Sequence, residues 1–490
     1  MKTFVVLVDS LNRNYLSCYN PHTFVHAENL AAFAKENVQF DNHYLGSAPC
    51  MPARRDIFTG RLNFLERNWG PIEPFDITMI QKLRNNGIFM HIITDHPHYF
   101  DIGGENYCRM FNTWEFIRGQ CGDPWVSRVA GTKIPEPHWG KVFEQNLLNR
   151  IGYQKEEDYP TPKCFQAACD WVENNRDADD YLLMIEVFDP HEPFDCTEEF
   201  IQMYQDNYDG PFFDWPSYLP LADETEEAMI HLRKRYAGTL SMMDRWFGKF
   251  IQKLKSTGIY EESLIIITTD HGHMLGEHGY AAKNFMPVYN ELAHLPLIVH
   301  LPKGEKSGKH VKALTQNIDL MPTILEHHNV EIPATVQGGS LFHVIRENQS
   351  IRKAAIYGWF GMAVNITDGK HTYFRAPKSE NNQPCYVYGA IPTTFLCYMN
   401  EFPEEIEMGR FLKHTNYPVY RIKNRTRNEC EWSPDITHVK ETMLFDLEKD
   451  FEQNHPLNDP ALEADMINKL KKAMAFHDSP EEQYERLGLA

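Results

Sequence analysis

Several stretches of this chain carry side chains able to hold an anion or a divalent cation. The first is Gly46-Ser-Ala-Pro-Cys50-Met-Pro52-Ala-Arg54-Arg55-Asp-Ile-Phe-Thr59-Gly60-Arg61. Small residues run into Pro49, a helix-length segment begins at Cys50, Arg54 follows one turn later and Gly60 closes it. Cys50 is therefore expected at a helix N-terminus, where unpaired backbone N–H groups and the positive end of the dipole favour an anion, and Arg54 adds a cation there. A second group sits behind apolar strands: Asp9 follows Thr3-Phe-Val-Val-Leu-Val8, and Asp270-His271 follows Ser263-Leu-Ile-Ile-Ile-Thr-Thr269. Two hard carboxylates and an imidazole, converging with the Cys50 loop, would make a site for one divalent cation. Third, His191 lies in the turn Asp189-Pro190-His191-Glu192-Pro193, which would hold it at the sheet edge.

The elements that must position these groups read as an α/β protein with a large, mostly parallel sheet sandwiched by helices. Continuous apolar runs at Thr3–Val8, Phe89–Thr94, Tyr181–Val187 and Ser263–Thr269 fit central strands buried on both faces. Helical patterns lie between them, at Asn29–Lys35, at Ile77–Asn85 with Gly87 as C-cap, at Lys163–Asn174 and along Glu224–Lys255. Ligands of open parallel sheets gather outside the carboxyl ends of the strands, where Asp9, His191 and Asp270 fall. Residues 96–162, rich in Gly, Pro and Trp, break the alternation and read either as a functional loop or as a flap packed by its own aromatics. Past residue 350, strand-like segments linked by Gly turns and a closing helix near Ala461–Ala475 suggest a smaller α+β subdomain with an antiparallel sheet. The expected division is a catalytic α/β domain over 1–350 and this subdomain over 351–490.

With 490 residues, 42% of them hydrophobic and 13% aromatic, the chain can fill a large core. A net charge of −20 argues against DNA, RNA or anionic membranes as partners, but not against a small anionic substrate. No apolar run is long enough to span a bilayer, and the N-terminus does not read as a signal peptide. The ten cysteines are scattered, without the spacing of a disulfide framework or zinc site. A reduced, cytoplasmic protein is the expectation.

Cys50-x-Pro52-x-Arg54 followed by Thr59-Gly60 resembles the signature of the type I sulfatases, formylglycine-dependent members of the alkaline phosphatase superfamily. The resemblance extends in order through Val8-Asp9, Thr268-Thr-Asp270-His-Gly-His-Met-Leu-Gly276-Glu-His-Gly279, Leu295-Pro-Leu-Ile-Val299, Ile318-Asp-Leu-Met-Pro322-Thr, Gln337-Gly-Gly-Ser-Leu341 and Leu444-Phe-Asp-Leu-Glu-Lys-Asp450. A single Asp9 followed by Ser10, the pair Asp270-His271 and Lys283 downstream look most like the choline-sulfatase and phosphonate monoester hydrolase branch. The resemblance implies oxidation of Cys50 to formylglycine by a formylglycine-generating or anaerobic sulfatase-maturating enzyme. It also implies one divalent cation, calcium or manganese, on Asp9, Cys50, Asp270 and His271. A protonated His191 or Lys283 would serve the leaving oxygen, and His96 or His98 would take the proton when sulfate departs. The substrate class is a small anionic ester, with sulfated sugars among the candidates, and a homo-oligomer is compatible with the resemblance. Two other readings are the same machinery acting on phosphonate monoesters or phosphodiesters, and a catalytically silent binding protein in which Cys50 stays a thiol.

Overall fold

The computed structural model describes residues 1–284, 286–347, 349–392, 406–424 and 441–490. Its centre is the strand Lys2–Val8, parallel to Tyr181–Val187 on one side and to Ser263–Thr268 on the other, with Phe4 opposite both Leu183 and Ile265. Every residue of these three strands is buried, which is why their sequences are mainly apolar runs rather than alternating, with Lys2 and Glu186 as the charged exceptions. Phe89–Thr94 extends the parallel sheet beyond Tyr181–Val187, and Thr113–Phe116 forms its edge. On the opposite side, His294–His300 runs antiparallel to Ser263–Thr268 and pairs antiparallel with Val38–Tyr44. The short strands His310–Val311 and Thr315–Gln316 complete nine strands.

Side-chain alternation splits the core in two. Phe4, Val6 and Val8 pack with Phe165 and Val172 of the helix Pro160–Asn174 and with Phe247 and Phe250 of the helix Glu226–Ser256. Val5 and Leu7 face Met79 and Leu83 of the helix Met79–Asn85, Ile57 and Phe58 of the helix Cys50–Thr59, and Ile324 and Leu325 of the helix Leu320–His327. Glu226–Ser256 runs through Gly238 and Gly248 without a break. The helix expected from Ile77 begins at Met79, because Thr78 and Gln81 form a capping box there. Its C-cap is Asn86 rather than Gly87, which follows with φ +80°.

The C-terminal part forms a five-stranded sheet in the order Met443–Asp446, His371–Arg375, Val364–Thr367, Ala355–Trp359, Ser47–Ala48. The helix Pro460–Phe476 covers it through Met466, Leu470 and Met474. A three-stranded antiparallel sheet, Tyr386–Gly389, Val419–Lys423 and Ile406–Gly409, stands beside it. The fifth strand, Ser47–Ala48, pairs parallel with Gly358 and Trp359 and leads directly into Cys50. The loop that carries Cys50 is thus clamped as an edge strand of the C-terminal sheet.

Residues 96–162 do not pack into a separate core of their own aromatics: Trp114 and Trp125 are 45% and 41% exposed. They contain the edge strand Thr113–Phe116 and the helix Glu144–Arg150, and several of their side chains form the wall of the cavity described next.

Candidate active site

Four neighbouring parallel strands end on one edge of the sheet. Val8 delivers Asp9, Thr94 delivers Asp95-His96, Val187 delivers the turn with His191 and Glu192, and Thr268 delivers Thr269-Asp270-His271. The N-terminus of the helix Cys50–Thr59 meets the same edge, with Pro49 as N-cap and Gly60, at φ +63°, as left-handed C-cap. Local contacts fix both the Cys50 loop and the His271 turn. Asp56 turns back from the helix to accept the Ser47 N–H (2.6 Å) and hydroxyl (2.9 Å), which pins the entering loop. Burial pushes that carboxyl up to about 7 against these hydrogen bonds. Behind His271, Gly272 passes so close to the Glu291 carbonyl that a Cβ would lie 1.8 Å from it.

Asp9, Cys50, Asp270 and His271 are all buried, and each offers a ligand atom within 4.8 Å of the others. Cys50 Sγ lies 3.2 Å from His271 Nε2. The Gly272 carbonyl accepts from His271 Nδ1 at 2.8 Å, so this nitrogen carries the proton and the Nε2 lone pair faces the cluster, the orientation a metal ligand needs. Burial holds the His271 imidazolium below its ordinary range. Beneath the cluster, the fully buried Arg54 donates to Glu186 (2.6 Å), Asp270 (2.5 Å), Asp9 (2.8 Å) and the Cys50 carbonyl (2.9 Å). Burial works against its charge, but Glu186, Asp270 and Asp9 together hold the guanidinium well above its ordinary value. Against burial, Arg54 keeps Asp9 ionised well below the carboxylate range, while burial lifts Glu186 to about 7. One guanidinium shared among three carboxylates leaves negative charge uncompensated where the ligand atoms converge, so the donor set and its charge fit a divalent cation.

Cys50 opens into a cavity of about 580 Å³ lined also by His191, Lys283, Asn284, His98, Trp69, Phe100, Phe116, Arg118, Trp215 and Tyr218. Burial, then the charge on Asp9, push the Cys50 thiol well above its usual value, so as a thiol it is neutral and a weak nucleophile. Lys283 reaches the cavity while its Nζ donates to Glu192 (3.0 Å) and Ser10 Oγ (3.2 Å), and Ser10 Oγ donates in turn to Asp9 (2.8 Å). Burial lowers the Lys283 ammonium, but Glu192 and the surrounding anionic groups outweigh it and keep it charged. His191 behaves oppositely. Its Nδ1–H is committed to the Glu192 carbonyl at 2.5 Å, and burial, with the Lys283 charge adding to it, pushes it down to about 3. At neutral pH the charged member of this pair is therefore Lys283, while His191 is a neutral imidazole.

The two histidines after Phe89–Thr94 part company. His98 lines the cavity and its Nδ1 lies 3.1 Å from Asp101. His96 is fully buried beneath, 3.2 Å from Asp9 Oδ2. Arg54 points its donors at carboxylates below Cys50 and is not among the cavity-lining residues. Sequence reasoning missed Glu186, Glu192 and Ser10. Glu186 carried a signal, since an acid inside a seven-residue buried strand requires a charged partner. Glu192 and Ser10 are neighbours of singled-out residues, and only the fold shows that they meet at Lys283.

A family model described as "Sulfatase" matches residues 2–330. The choline-sulfatase of Rhizobium meliloti is 25% identical over 414 residues, covering 75% of this chain and 77% of that one. An N-acetylglucosamine-6-O-sulfatase of Bacteroides thetaiotaomicron is 28% identical over 218 residues, which span 43% of this chain and 38% of that protein. Among solved structures, the phosphonate monoester hydrolase of Agrobacterium radiobacter superposes with a TM-score of 0.68 at 18% identity, over 97% of this chain and 95% of the other. A structure in complex with its substrate D-glucosamine-2-N,6-O-disulfate gives the same TM-score at 16% identity, over 98% of each chain. The family match extends over the sheet, the Cys50 helix and the strand ends that gather Asp9 and Asp270-His271, and because it takes in well over half of the length, the chain belongs to the sulfatase family.

Proposed function

We propose that the protein hydrolyses sulfate esters, with residue 50, oxidised from cysteine to formylglycine, as the covalent nucleophile beside one divalent cation, calcium or manganese. The observation that carries this reading is the convergence of ligand atoms from Asp9, Cys50, Asp270 and His271 where Cys50 opens into the cavity. These four residues would hold the cation, which supplies activation of the attacking hydroxyl and charge stabilisation of the transferred group. Arg54 keeps Asp9 ionised and holds the Asp9 and Asp270 carboxylates aligned for that task. The backbone N–H groups of Cys50 and Met51, at the mouth of the helix Cys50–Thr59, would receive the anion. Lys283 protonates the leaving alcohol as the bond to sulfur breaks. His98, which lines the cavity, would take the proton released when sulfate is expelled, and His96 lies 3.2 Å from Asp9.

The decisive measurement pairs mass spectrometry of the Cys50 peptide with steady-state rates on a sulfate ester. Conversion to the aldehyde lowers the peptide mass, and a plain thiol in an active preparation would refute the mechanism. Phosphonate monoesters form a second reading, favoured by the imidazole in the ligand cluster and by Lys283 beside it. Matched sulfate and phosphonate esters of one alcohol would separate the two by kcat/KM.

The proposed ligand set has its own test. Asp9→Ala and Asp270→Ala should each strip the cation, because losing one hard ligand from so small a set leaves it under-coordinated. Elemental analysis after dialysis should find well under one equivalent in both variants, and a full complement in either would remove that residue from the site.

The assignment of the proton to Lys283 predicts dependence on the leaving group. General acid catalysis contributes about a hundredfold or more to expulsion of a poor leaving group and little to that of a nitrophenolate. Lys283→Ala should therefore depress turnover of an alkyl sulfate about a hundredfold more than that of nitrophenyl sulfate. His191→Ala, which removes a neutral imidazole, should affect both substrates alike. The reverse pattern would hand the acid role to His191.

A further inference from the structure

Resting on the proposed sulfate-ester hydrolysis, we infer that the cavity selects esters carrying a single sulfate on an uncharged alcohol with a flat apolar body, and that it disfavours polyanionic sugars. The floor, where Cys50, His191 and Lys283 stand, holds the group that receives the reacting anion. The walls are a different environment, made of Trp69, Phe100, Phe116, Phe143, Trp215 and Tyr218. Two of these contacts are ring on ring: Phe100 stacks on Phe116 at 4.1 Å between centroids, and Phe143 meets Trp215 at 4.4 Å. Phe100 is 51% exposed, leaving much of its surface free to cover an entering apolar group. Aromatic side chains held this way offer large apolar area with little entropy to lose, and flat bodies gain most from it.

Charge points the same way. Among the described residues of the cavity, the carboxylates are Asp101 and Asp123, and the cation of the walls is Arg118. Arg118 is occupied by Asp123, with two N–H···O contacts at 2.8 Å. Lys283 stands on the floor, paired with Glu192. An additional sulfate carried outward on the alcohol would meet the Asp101 carboxylate, whose hydrogen-bond partner is the His98 ring, beside a guanidinium already paired with Asp123, so repulsion works against it.

The test uses three esters of primary alcohols, so that leaving-group basicity is matched: 2-(2-naphthyl)ethyl sulfate, glucose 6-sulfate and glucosamine-2-N,6-O-disulfate. With the metal-loaded protein, its aldehyde at residue 50 verified, kcat/KM should fall in that order, by about tenfold or more between the first and second. Phe100→Ala should raise KM for the naphthylethyl ester about fivefold and leave that for ethyl sulfate nearly unchanged, in keeping with one aromatic contact. Asp101→Lys should raise kcat/KM for the disulfate severalfold. Preference for either sugar ester, or equal effects of Phe100→Ala on naphthylethyl and ethyl sulfate, would overturn the selectivity while leaving sulfatase activity standing. Failure to hydrolyse any of the three would overturn both.

Discussion

Cys50→Ala is expected to fold like the wild type and to hydrolyse no ester above background. Cys50 is 2% exposed at the first turn of a helix, and alanine is smaller and favours helix, so the replacement fits without strain. The melting temperature should stay within a few degrees. Chemistry responds differently, because removing the nucleophile of a covalent mechanism leaves only what binding and electrostatics contribute. Loss of a hydrolase nucleophile costs on the order of a millionfold in turnover. A variant within tenfold of wild type would show that residue 50 is not the nucleophile.

Arg54→Met should have the largest effect on stability. It keeps a long apolar stem but deletes the guanidinium that Asp9, Asp270 and Glu186 share at 2.5–2.8 Å in a fully buried site. Breaking a buried pair by removing one partner typically costs about 3–5 kcal/mol, because the remaining charge is left in a medium that cannot solvate it. Here three carboxylates lose one cation. The pH dependence follows from the sign of each shift. In the wild type, Asp9 lies well below its unfolded value, so its stabilisation is present above about pH 4 and is lost as pH falls through the folded value. Without Arg54, burial dominates and raises the folded carboxyl values, so the variant loses stability as pH rises. The gap in melting temperature between the two proteins should therefore be wide at pH 7 and narrow toward pH 4. Added calcium or manganese should restore part of the loss at pH 7, since Asp9 and Asp270 face the cation site. An unchanged melting temperature at pH 7 would mean that Arg54 does not hold the cluster.

The contrast between these two residues marks where sequence reasoning stops. Arg54 reads as an anion binder at a helix mouth because helix geometry places it one turn behind Cys50. Which way its guanidinium points depends on Asp9, Glu186 and Asp270, contributed by strands that begin at residues 2, 181 and 263. Sequence spacing carries no information about that convergence. His96 and His98 are likewise indistinguishable in a run of Asp-His-Pro-His, yet a 3-10 turn at Pro97–Tyr99 buries one under Asp9 and turns the other to the cavity.

Local physics makes other features legible without a structure. A strand buried on both faces is mainly an apolar run, so Lys2–Val8, Tyr181–Val187 and Ser263–Thr268 announce themselves, as does the parallel α/β sheet they build. The edge where ligands gather then singles out Asp9 and Asp270-His271, and a residue pattern as specific as Cys50-x-Pro52-x-Arg54 identifies the helix mouth that joins them. The cavity is another matter. Its walls come from residues 69, 100–123, 143 and 215–218, and the loop bearing Cys50 is fixed by a strand pair with Gly358 and Trp359. Each of those segments is irregular or very short, with no periodicity to read, because their conformations are set by neighbours far away in the chain rather than by their own backbone preferences. The candidate residues of the site are thus written in local sequence, whereas the groups that orient them and the walls of the cavity exist only in the folded protein.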